Sequence, residues 1–145
     1  MTEAELREAV LAEARSWLRT RWHHAARLKG AGVGCANYLV AVYAAVGLVP
    51  ALALEYYPPD WMLHRDEPRF LQVLAQHARK VEIGLPGDVA MFRFGRHEAH
   101  GAFVTAWPEV IHAYRKDGMV VLSDASKGEF QERFAGFWRL NAFLD

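Results

Sequence analysis

The chain has 145 residues, 52% of them hydrophobic, with 17 Lys and Arg against 17 Asp and Glu for a formal net charge of zero, and one cysteine. That length fits one domain, 1–145, with a continuous core. The neutral balance excludes a nucleic-acid binder that relies on phosphate neutralisation, and one cysteine excludes an internal disulfide or a multi-cysteine zinc cluster.

No apolar run is long enough for a membrane-spanning helix. The start, Met1-Thr-Glu-Ala-Glu-Leu-Arg-Glu, is acidic and polar, unlike a secretory leader, so synthesis in the cytoplasm without a signal peptide is expected. Residues 3 to about 21 carry Leu6, Ala9, Val10, Ala14, Trp17 and Leu18 at amphipathic helical spacing, with Thr2 as N-cap. Glu13 falls among the apolar positions, where it must reach the rim or find a partner. The next segment, Arg21-Trp-His-His-Ala-Ala-Arg-Leu-Lys29, mixes aromatic, imidazole and basic groups. Trp22 and His24 either approach the cysteine that follows or cap the first helix.

Gly30-Ala-Gly-Val-Gly-Cys35 comes next, three alternating glycines that let the backbone turn sharply ahead of the thiol. From Ala36 to Val46 nearly every residue is apolar, with Gly47 as a C-terminal stop, which predicts a helix buried on most of its surface. Cys35 then sits at the first turn, where unpaired N–H groups and the positive end of the dipole favour a thiolate. A lone cysteine also has a plainer reading as a buried space-filler.

Glu55-Tyr-Tyr-Pro-Pro-Asp-Trp-Met-Leu-His64 predicts an extended, aromatic loop packed on the body. Tyr57 and Trp61 either line a substrate groove or serve as core or lid packing. Pro68 to about Lys80 has the spacing of a second amphipathic helix, with Phe70, Leu71, Leu74 and Ala78 on one side. The period then changes to two. Strands are predicted at Asp88–Phe94, His100–Trp107, Val110–Tyr114, Met119–Ser123 and Gly136–Phe143. Helices followed by an antiparallel meander give an α+β class with one sheet of about five strands.

His100 opens one strand and His112 lies in the next. A hairpin centred near Ala106 would set them opposite each other on one face, with Cβ atoms about 4.5–5.5 Å apart; a turn nearer Pro108 would offset them. If the cysteine helix packs on that face, Cys35 is a nucleophile, His100 its base and His112 the group that holds the useful tautomer. The backbone N–H of Cys35 is the oxyanion donor in that scheme. Zinc held by His97, His100, His112 and Cys35 is the rival reading, but the chain lacks a helical His-Glu-x-x-His, and no metal or other cofactor is expected.

In order and spacing these segments resemble the NlpC-type papain-like cysteine peptidases, most nearly the short members encoded with phage and prophage tail genes. The resembling parts are Trp22-His-His-Ala-Ala-Arg-Leu-Lys-Gly-Ala-Gly-Val-Gly-Cys35, Gly87-Asp-Val-Ala-Met-Phe-Arg-Phe-Gly95, His100-Gly-Ala-Phe-Val and Val110-Ile-His-Ala113. With Asp60-Trp61 and Trp138 they run from about residue 8 to residue 140. The resemblance implies a papain-like fold, a Cys35, His100 and His112 trio, hydrolysis of amide bonds in peptidoglycan stem peptides, and phage tail proteins as candidate partners in a virion. The chain departs from the family pattern in having Trp22 where a tyrosine is common, Gly34 where aspartate precedes the nucleophile, and Asn37 where glycine is usual. Those departures motivate two alternatives, a catalytically impaired structural or binding module of a tail, and an acyltransferase or amidase acting on another substrate.

Overall fold

A computed structural model describes residues 1–23, 27–49, 75–94 and 97–143. Helix α1 (Glu3–Ser16) starts in a capping box, in which Thr2 Oγ1 accepts from the Glu5 amide at 3.1 Å and Glu5 Oε1 accepts from the Thr2 amide at 2.8 Å. Its predicted stripe turns inward at Val10, Ala14 and Trp17, while Leu18, just beyond the helix, is exposed. Glu13 finds two partners, the indole N–H of Trp17 at 2.9 Å and the ammonium of Lys29 at 2.8 Å. The helix ends sooner than predicted because Arg19 and Thr20 leave it to hydrogen-bond with Val120.

A two-stranded hairpin, β1 (Arg27–Leu28) and β2 (Gly32–Val33), leads into helix α2 (Cys35–Ala45). Gly30 makes the hairpin turn with φ +80°, a conformation that costs most residues a Cβ clash. As predicted, α2 is buried on most of its surface and is stopped by Gly47, whose φ is +78°. Tyr38 and Tyr43 fix its orientation. Both rings meet Phe103 edge-on, at 5.4 and 5.1 Å between centroids, and their hydroxyls donate to Ala14 O at 2.8 Å and Gly87 O at 2.6 Å.

The main sheet is antiparallel and has six strands rather than about five, in the order β3-β8-β4-β5-β6-β7. These are β3 (Ala78–Val81), β4 (Val89–Phe94), β5 (His97–Ala106), β6 (Glu109–Tyr114), β7 (Met119–Asp124) and β8 (Phe134–Leu140). The additional strand is β3, which takes residues 78–80 from the end of the predicted second helix; residues 75–77 are helical, and 68–74 lie outside the described residues. Pairing of Ala78 with Leu140 and Val81 with Phe137 decides this against local helical spacing. A short helix, α3 (Gly128–Arg133), precedes β8, and the predicted last strand is replaced beyond Leu140 by a 3₁₀ turn at Asn141–Phe143.

Each face of the sheet carries a separate core. Met91, Phe103, Ile111, Ala113 and Val120 pack with α1 and α2. Ala90, Phe92, Ala102, Val104, Val110 and Phe137 pack on the other side, with Phe130 of α3 against them. Asp88, 0% exposed, ties the layers at one end: its carboxylate accepts from Arg7 Nη1 of α1 at 3.0 Å and from Arg139 Nη2 of β8 at 2.9 Å.

Candidate active site

Cys35 is the first residue of α2, following the extended Gly34, which has no side chain with which to cap the helix. Cys35 is half-buried as a residue; its thiol meets the amides of Cys35 and Ala36, which favour its anion, but burial of the sulfur outweighs them and pushes its pKa up to about 11. The helix start alone therefore does not make a thiolate; a base must take the proton. Two residues on, buried Asn37 accepts from Arg27 Nη2 at 2.9 Å and Nε at 3.2 Å, tying β1 to α2.

The β5–β6 turn falls at Trp107-Pro108, with Phe103 opposite Ile111; continued at that register, His112 stands opposite Ala102 rather than His100. The two histidines are therefore diagonal neighbours on one face rather than directly opposite. They still meet. His100 Nε2 lies 2.7 Å from His112 Nδ1, and His112 Nε2 lies 2.8 Å from Ser123 Oγ on β7. Ser123 is the site residue that sequence reasoning missed. The imidazoles are enclosed by Phe92, Phe94, Tyr114 and Phe130, with Tyr114 stacked on His112 at 13°. Burial lowers His100 to about 4 and His112 well below its ordinary value, so both rings are neutral at pH 7. Both ring nitrogens of His112 thus face side chains of the neighbouring strands.

The histidines share the face of Ala102, Val104 and Val110, whereas α2 packs on the face of Phe103 and Ile111. Val33, two residues before Cys35, is nevertheless tied to the end of the sheet that holds His100. Trp22 bridges to Val33, just before Cys35, and its amide donates to Gly118 O at 2.8 Å; the Gly118 amide in turn donates to Tyr114 O at 2.9 Å, and the Tyr114 ring is 5.5 Å from that of His100. Among the described residues no hydrogen bond joins Cys35 to either imidazole. Trp22 does not cap α1, whose C-cap is Trp17; it is half-buried at this same end, beneath the Arg115 guanidinium at 5.5 Å. His24, Tyr57 and Trp61 lie outside the described residues.

A cysteine-led helix packed on an antiparallel sheet gives this chain the papain-like fold of solved NlpC/P60 domains. The P60 domain of an antigen from M. avium subspecies paratuberculosis shares it with a TM-score of 0.67 and 14% identity, over 99% of this chain and 98% of that one. So does the peptidoglycan hydrolase RipB from Mycobacterium tuberculosis, with a TM-score of 0.62 and 17% identity over 94% of this chain and 64% of RipB. A lipoprotein-like NLP/P60 family protein from Staphylococcus aureus subsp. aureus Mu50 matches with a TM-score of 0.62 and 17% identity over 94% of this chain; the chain spans only 41% of that protein. No family model matches the sequence, and no curated protein matches it.

Proposed function

We propose that this domain is a cysteine peptidase that hydrolyses amide bonds in bacterial peptidoglycan stem peptides. The observation that carries the proposal is the 2.7 Å bond from His100 Nε2 to His112 Nδ1, which leaves His100 Nδ1 as the ring nitrogen available to a thiol. The shared fold with RipB, described as a peptidoglycan hydrolase, supports the substrate class. In this scheme His100 Nδ1 takes the Cys35 proton as sulfur attacks the carbonyl carbon, and the Cys35 amide stabilises the oxyanion. The imidazolium then protonates the departing amine, leaving a thioester. Water attacks the thioester with His100 again as base, releasing the acid and restoring the thiol.

Mass spectrometry of stem peptides incubated with the protein tests this. Cleaved stems are expected with the native chain and intact stems with Cys35→Ala. Cleavage undiminished in Cys35→Ala contradicts the mechanism. The phage-tail or prophage setting belongs to the same proposal on the motif pattern, and finding the chain in purified phage particles tests it. A second reading, a binding module with a silent thiol, is favoured by the burial that raises Cys35 to about 11; stems left intact by both forms but retained by the protein would support it.

A further inference from the structure

The hydrogen-bonded chain runs past His112 to the surface. Ser123 faces Val110 in the β6–β7 register and so stands diagonal to His112 on the same face. It is half-buried, and it lines an open groove of about 410 Å³ with Ala106, Pro108, Glu109, Leu122 and Asp124. One end of the hydrogen-bonded chain, at His100, lies beside Tyr114, and the other meets solvent.

Two neutral imidazoles joined Nε2 to Nδ1 have coupled protons. With N–H on Nε2 of His112, its Nδ1 accepts; His100 then holds its proton on Nε2 and keeps Nδ1 open as a base. With N–H on Nδ1 of His112, His100 carries its own proton on Nδ1 and cannot take another. We propose that Ser123 is a positioning residue that selects the first state, its oxygen accepting from His112 Nε2 while its own proton turns to solvent in the groove. Of the rings packed on His112, Phe130 carries no acceptor, and the buried Tyr114 hydroxyl makes no hydrogen bond to it. Glu109 and Asp124 are the charged groups of the groove, and across α3 Glu129 is paired with Lys116 and Arg133. The inference rests on the hydrolase reading for its kinetic consequence but not for its tautomer.

Ser123→Ala removes the acceptor, and Ser123→Thr keeps it. Nitrogen-15 NMR of histidine-labelled protein is expected to show N–H on Nε2 of both His100 and His112 in the native chain and in Ser123→Thr. In Ser123→Ala the proton of His112 is expected to move to Nδ1. On stem peptides, kcat in Ser123→Ala should fall about 10- to 100-fold, the scale of lost outer-shell partners of functional histidines, with KM little changed and recovery in Ser123→Thr. Native tautomers in Ser123→Ala overturn the proposal, as does undiminished kcat in that variant. If no form cuts stem peptides, the hydrolase reading fails while the NMR comparison still decides what Ser123 does.

Discussion

Desolvation keeps His100 and His112 uncharged, and that has a cost in acid. An unfolded histidine binds a proton near pH 6.5, whereas folded His100 does so only near 4, so between those values the unfolded chain binds more protons and stability falls as pH falls. His100 alone accounts for roughly 3 kcal/mol across that window, and His112 acts in the same direction. Urea unfolding at pH 7 and pH 4.5 should show the loss, with a smaller difference in His100→Asn. At neutral pH the same burial leaves His100 unprotonated, as a general base must be. The place of Cys35 at a helix start was legible because glycines precede it and an apolar run follows. The shared face of the histidines was legible from their even separation. Their diagonal offset was not, since it depends on where the turn falls. Ser123 carried no signal, because only the β6–β7 register brings it to His112.

At the scale of elements, α1 and the sheet are held by devices of different strength. The Thr2 cap is exposed, and Thr2→Ala should cost about 1 kcal/mol in chemical unfolding. Asp88 is another matter. It is wholly buried between Arg7 and Arg139, and Asp88→Ala would take the shared carboxylate from two guanidinium groups, themselves 8% and 17% exposed, leaving Arg7 its pair with Glu3 at 3.0 Å. A loss of about 3–5 kcal/mol is expected, measurable as a lower urea midpoint; a loss under about 1 kcal/mol would mean that solvent already screens the cluster. Helix α2 was read correctly along nearly its whole length because both its burial and its glycine stop are local. Strand β3 was misread for the converse reason. Ala78–Val81 is too short to show a period of two, and its partner, β8, lies more than fifty residues away in sequence.

Across the whole molecule, the sheet separates two cores, with helix α2 on one and the imidazoles on the other. Trp22, Gly118 and Tyr114 link the segment before Cys35 to one end of that sheet. The α+β class was legible from the change of hydrophobic period alone, but the two-sided packing was not, because strands of alternating apolar residues do not reveal which layer covers each face. The proposed peptidase activity depends on whether sulfur and imidazole exchange a proton. Alkylation of Cys35 by iodoacetamide at pH 7, in the native chain and in His100→Ala, measures this most directly. If they share a proton, the native thiol reacts readily and the variant at least about tenfold more slowly. Equal, slow rates in both, rising only as pH approaches the buried thiol's value of about 11, would contradict it.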